Sequence, residues 1–185
     1  MNPRTPPLRR VCRAMTVGML LSVTVAAEPL SAQRPAACGD EPRFALLDFW
    51  VGEWEVYLAG QGVGSDRIEK ILNGCAVMEH WVDATGAEGK SLFFYTPATD
   101  TWKQVWVTGA AMVPGGVKEK SLIEELADGG LLFQGRVELA GGGWYWDRTT
   151  LVPLEDGTVR QIIQISRDGS TWDRPSFDAI YRRAR

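Results

Sequence analysis

Four polar side chains in this sequence are spaced for chemistry. Glu79, Gln104 and Arg148 each stand two positions from a tryptophan (Trp81, Trp106 and Trp146), and Gln161 shares a parity with Val159, Ile163 and Ile165. A spacing of two puts both members of a pair on one face of a β-strand. If those faces turn inward, the set describes an aromatic-walled pocket with a few convergent hydrogen-bonding groups, the usual form of a small-molecule site. Trp81, Trp106 and Trp146 would supply the walls; Glu79, Gln104, Arg148 and Gln161 would orient the ligand. Glu79 carries a second possibility, because a carboxyl group against an apolar wall has a raised pKa and can serve as general acid or base. Arg148 would then steady developing negative charge. The same residues also suit a plugged interior, in which the indoles fill the core and Glu79 pairs with Arg148.

His80 is the one histidine in the chain. Strand alternation turns it away from Glu79 and Trp81, which disfavours a Glu79–His80 catalytic couple. A single histidine without a cysteine cluster does not furnish a metal site, so neither metal nor cofactor is expected. The sequence also lacks a Gly-x-Ser-x-Gly elbow, a phosphate loop and His-Glu-x-x-His.

The elements that must position these residues are short and regular. Trp54, Val56 and Leu58 alternate with Glu53, Glu55 and Tyr57, the pattern of a half-buried strand. Gly60–Gly64 reads as a loop, and a second strand over about 65–72 runs into Asn73-Gly74, a strong hairpin signal. Further strands are expected near 75–83, 91–96, 101–108, 117–126, 131–139, 144–152, 159–165 and 176–183. Gly-rich turns, Pro97–Asp100, Asp128-Gly129, Asp156-Gly157 and Asp168-Gly169 separate most of them. Ten strands at about ten-residue spacing, with no room for crossover helices, predict an all-β, antiparallel up-and-down barrel. A two-sheet sandwich is the rival. Phe44, Leu47 and Val51 stand at helical spacing and predict a short N-terminal helical cap over one barrel end.

The ends and the composition bound the rest. Arg4, Arg9, Arg10 and Arg13 precede an uncharged, largely apolar stretch from Ala14 to Ala27, then small residues to Gln33. This predicts a signal peptide over residues 1–33, cleaved after Ala27 or near Gln33. The stretch falls short of the roughly 20 residues a membrane helix needs. Residues 34–185 then form a single β-barrel domain with 16 basic against 22 acidic side chains, a net charge of −6. That balance argues against nucleic acid and anionic membranes. No segment of that domain suits an integral membrane span. Of the three cysteines, Cys38 and Cys75 remain after the leader; in an oxidising compartment they are expected to form a disulfide, the alternative being two buried thiols.

Gly52-x-Trp54 resembles the opening motif of lipocalins and other calycins. That resemblance implies a tryptophan packed at the closed barrel end against a basic residue of the last strand, here Arg182 or Arg183 beside Tyr181. A longer resemblance covers nearly the whole exported part. Leu47–Trp54, Gly74-Cys75, Glu79-x-Trp81, Trp102-x-Gln104-x-Trp106-Val107, Arg160-Gln161 and Asp168–Trp172 are similar to motifs of a bacterial domain-of-unknown-function family of small exported barrels. It implies a calycin-like fold and no activity, and the chain departs from the pattern at Gly109–Lys120. The expectation is therefore an exported protein, periplasmic or extracellular, holding a small, largely apolar or aromatic molecule in its lumen. The alternatives are a barrel enzyme using Glu79 as general acid/base, and a barrel acting through its outer face, with a homodimer as one form.

Overall fold

A sheet with one apolar face can hide that face by rolling until its last strand meets its first. The computed structural model, which describes residues 38–185, shows the chain doing this. The ten strands are β1 (Gly52–Leu58), β2 (Gln61–Ile71), β3 (Ala76–Asp83), β4 (Glu88–Thr96), β5 (Thr101–Thr108), β6 (Val117–Glu125), β7 (Leu131–Glu138), β8 (Trp144–Pro153), β9 (Val159–Ser166) and β10 (Phe177–Arg183). Each pairs antiparallel with its sequence neighbours, and β1 pairs with β10 from Trp54↔Arg183 to Leu58↔Ala179. That last ladder closes the barrel and excludes the sandwich. The expected leader over residues 1–33 lies outside the described residues.

Closure makes period-two alternation a statement about inside and outside. Every second side chain faces a bore of limited volume. At one end the bore is packed solid. Leu47, Trp50, Trp54, Phe93, Phe133 and Tyr181 are buried there together. Trp50 meets Phe93 and Tyr181 edge-to-face with centroids 5.6 and 6.0 Å away, the geometry aromatic quadrupoles favour. The Trp54 indole donates to the Trp50 carbonyl at 2.8 Å. Arg183 lies over the Trp54 ring, 4.1 Å from its centroid, and donates to the Val51 carbonyl. Arg182 instead covers Tyr57. Gly52 has φ +146°, and a Cβ there would stand 1.8 Å from an Arg183 guanidinium nitrogen. The Gly52-x-Trp54 motif thus has a local cause: the glycine leaves room for the arginine that covers the tryptophan.

The segment feeding this end was expected to form helical turns from Phe44 to Trp50. No α-helix occurs among the described residues. The arm makes 3-10 turns at Cys38–Asp40 and Pro42–Ala45, then turns closed by bonds from Asp48 to Ala45, Trp50 to Leu47 and Val51 to Asp48. Cys38 and Cys75 form the disulfide, tying this arm to the β2–β3 turn. That turn is wider than a two-residue hairpin: Leu72, Asn73 and Gly74 all have positive φ. A Cβ on Gly74 would come within 2.8 Å of the Gly39 nitrogen, so glycine lets the arm approach. The Gly60–Gly64 loop is not formed. β2 starts at Gln61 after a turn at Ala59-Gly60, and Gly62 and Gly64 lie within the strand.

The bridge spans 37 residues of sequence. Loop-closure entropy for that separation predicts that Cys38→Ser with Cys75→Ser lowers the unfolding free energy by about 3–4 kcal/mol in urea titrations. A loss below about 1 kcal/mol would mean that packing alone holds the arm.

Candidate functional site

The half of the bore away from the sealed end holds a cavity of about 170 Å³. Its walls are apolar and come from four strands: Trp81 of β3, Trp106 of β5, Ile163 of β9 and Phe177 of β10. Trp81 and Phe177 meet edge-to-face at 6.1 Å. Two glycines make room for the indoles. A Cβ on Gly89 of β4 would fall 2.2 Å from the Trp106 ring, and one on Gly64 of β2 would fall 2.7 Å from the Trp81 ring.

Beneath the walls lies a polar floor. Glu79, Gln104, Lys120, Thr149, Gln161 and Tyr181 reach the cavity, and all are buried. Gln104 donates from Nε2 to Ser91 Oγ at 3.0 Å, while the Tyr181 hydroxyl donates to Gln161 Oε1 at 2.6 Å. Lys120 donates to Thr149 and forms an ion pair with Asp147. Lys118, also lining the cavity, reaches the other Asp147 oxygen at 2.7 Å. The Asp147 carboxylate is fully buried, so the two ammonium groups supply the compensation a buried charge requires. Burial moves Lys120 down to about 8, against the opposing pull of Asp147.

The acidic side of the floor is less satisfied. Glu79 is 3% exposed and its Oε2 has no hydrogen-bond partner; Gln104 Oε1 likewise has none. Behind Glu79 stands Asp66 of β2, also 3% exposed, with neither carboxyl oxygen partnered. Burial, and then the Glu79 charge beside it, raise Asp66 to about 10. Glu79 is raised by burial as well, but Ser91, Asp66 and the Lys120 charge act against the rise. Two adjacent buried carboxyls do not both ionise readily, so burial and their mutual repulsion favour keeping a proton on the pair.

Five residues singled out from the sequence meet here: Glu79, Trp81, Gln104, Trp106 and Gln161 all line the cavity. Trp146 and Arg148 do not. On β8 the inward parity belongs to Asp147, Thr149 and Leu151, all buried. Trp146 instead packs against Trp144 at 5.7 Å and faces Gly169. Arg148 bonds Gln164 and lies over Trp172, 4.0 Å from the ring centroid. The loop that carries Gly169 and Trp172 therefore covers the outer face of β8. This strand is inverted relative to simple hydrophobic reasoning, with indoles outside and an aspartate inside. The chain matches no protein-family model and no curated protein. His80 bonds Glu69 at 2.8 Å and approaches Lys90 at 3.2 Å, outside the cavity lining.

Sequence reasoning missed Asp66, Lys118, Lys120, Asp147, Thr149 and Tyr181. Asp66 had an available signal, since it shares parity with the buried Ile68. Lys118 and Lys120 alternate with Val117 and Glu119, a pattern whose apolar member faces out, so no hydrophobic period marks their inward face.

Asp66 gives a pH test. A carboxyl raised above its unfolded value binds a proton in the native state that the unfolded chain releases, so stability is greatest at low pH and falls as pH rises toward about 10. Lys120 acts with the opposite sign, but only above about 8. Between pH 5 and 8 the wild-type unfolding free energy should therefore decline, at up to about 1.4 kcal/mol per pH unit for one proton. Asp66→Asn should flatten that slope in urea denaturation at several pH values; an unchanged slope would place the retained proton elsewhere.

Proposed function

We propose that this protein binds a small, largely apolar or aromatic molecule in its lumen. The observation that carries the reading is the division of the cavity: aromatic and aliphatic walls above a buried floor with unpartnered hydrogen-bonding atoms. Ligand sites combine apolar surface for affinity with a few fixed polar groups for orientation. A bore intended only as core would be cheaper if filled with carbon, because unsatisfied buried polar groups cost stability. The plugged alternative describes the sealed half of this barrel, and the open half differs from it in both packing and polarity.

Export is part of the proposal. The Cys38–Cys75 disulfide supports an oxidising compartment, as does the signal-like sequence of residues 1–33. No described helix is long and apolar enough to cross a membrane.

The acid/base reading keeps one specific support, the Asp66–Glu79 carboxyl pair beside the cavity. Its expected cation changes. Arg148 lies on the outer face, and Lys120 is the cation whose charge acts on Glu79. An enzyme of this kind would lose turnover in Glu79→Gln while retaining ligand affinity.

Calorimetric titration with a panel of neutral aromatic and aliphatic molecules tests binding. Trp106→Ala should weaken the tightest of them by at least about tenfold, as expected for loss of a large aromatic contact. Trp144→Ala, on the outer face, should leave affinity unchanged. Equal losses in both variants, or no heat from the whole panel, would remove the lumen as the site.

A further inference from the structure

Two lysines of the cavity lining share one carboxylate. Lys118 and Lys120 stand two positions apart on β6, both reach the cavity, and both converge on the fully buried Asp147. Lys118 donates to Asp147 Oδ2 at 2.7 Å, while Lys120 pairs with Oδ1 and donates to Thr149. The Lys118 charge is among the causes that push Lys120 down, so the two ammonium groups oppose each other across a single counter-ion. The Asp66–Glu79 pair does not supply a full second one, because burial and mutual repulsion favour a proton on it. Charge held out of water is costly unless it is paired and hydrogen-bonded. A second anion in the cavity would meet that need, whereas a cation would add to the repulsion.

The donors left over ask for the same partner. An ammonium group has three protons, and among the described residues Lys118 bonds only Asp147. Gln161 accepts from Tyr181 through Oε1, and its Nε2 donates to no described residue. The Thr149 hydroxyl accepts from Lys120 and has its own proton to give. All three residues line the cavity. Thr149 and Gln161 are diagonal neighbours on the inner face, since Thr149 pairs with Ile163 and Leu151 with Gln161 across β8–β9. Lys118 pairs with Trp106 across β5–β6, which sets the charge beside the aromatic wall. Its side chain is 17% exposed against 3% for Lys120, so Lys118 is the lysine a ligand can reach.

We infer that the lumen takes a small organic carboxylate with an apolar body, its head paired with Lys118 and given further donors by Thr149 and Gln161, its body against Trp81, Trp106 and Phe177. This rests on the lumen-binding reading and specifies the head group of its ligand. A cavity of about 170 Å³ keeps the body small.

The test uses two acids with different bodies, 2-naphthoate and octanoate, beside 2-naphthamide and octanamide, whose heads are alike in size but uncharged. All four are titrated calorimetrically at pH 7 into the purified protein. At least one acid should bind about tenfold or more tighter than its amide. Lys118→Met should abolish that preference while leaving amide affinity within about twofold; it leaves Asp147 paired with Lys120, so the interior stays balanced. Gln161→Met should weaken acid binding by about threefold or more, and it decides if Lys118→Met does not fold. Amides that bind as tightly as their acids, or a preference that survives Lys118→Met, overturn the carboxylate inference and leave the lumen reading intact. Failure of both acids while members of the neutral panel bind does the same. Failure of the acids and the whole panel together overturns the lumen reading itself.

Discussion

Trp54 lies under the Arg183 guanidinium and donates to the Trp50 carbonyl, at the seam where the last strand meets the first. The seam matters because closure gives every strand one inward parity. Once Trp54 and Val56 are inside, the ladders carry that choice around the barrel, through Asp66 and Ile68 on β2 to Val77, Glu79 and Trp81 on β3. Strands that would favour the other parity on hydrophobicity alone must still comply. On β8, Trp146 has gone outside and Asp147 inside for this reason, and a loop and two lysines accommodate the result.

The bore is graded along its length. The sealed end is carbon against carbon, with Trp50, Phe93, Phe133 and Tyr181 interlocked. A polar layer follows, and then the aromatic chamber. The sealed end supplies burial of the kind that stabilises small domains, a few kcal/mol for each large side chain. The polar layer works against it. Asp66 and Glu79 are held out of water by the packing around them, and retention of a proton lessens the cost. The stable half of the molecule thus supports the less stable half.

Much of the fold was legible in the sequence. Turn glycines and alternating apolar residues marked ten strands, because each hairpin needs positive φ at its corner and each half-buried strand needs period two. The departures have local causes. Gly62 and Gly64 look like loop residues, yet Gly64 sits in β2, where the Val82 carbonyl of β3 and the Trp81 ring leave no space for a side chain. The arm before β1 has helical spacing, yet its bonds run three residues back as it bends toward the barrel end. The site was only half legible. Strands with one indole parity and a neighbouring polar residue, β3 and β5, were read with the correct face. On β8 both parities offered plausible interiors, and only the ladder to β7 and β9 decides between them. Asp66 and the lysines escaped notice because a charged residue carries no mark of burial until its partners are known.

The indoles of Trp81 and Trp106 keep their places through two glycines, Gly64 and Gly89, that contribute no side chain of their own. The size of the chamber can therefore change while each lining residue stays the same. A single methyl group at position 89 would displace the Trp106 indole and narrow the aperture, whereas one at position 64 would also meet the Val82 carbonyl at 2.4 Å, so part of the calibre of the mouth is encoded on a strand adjacent to those that form it.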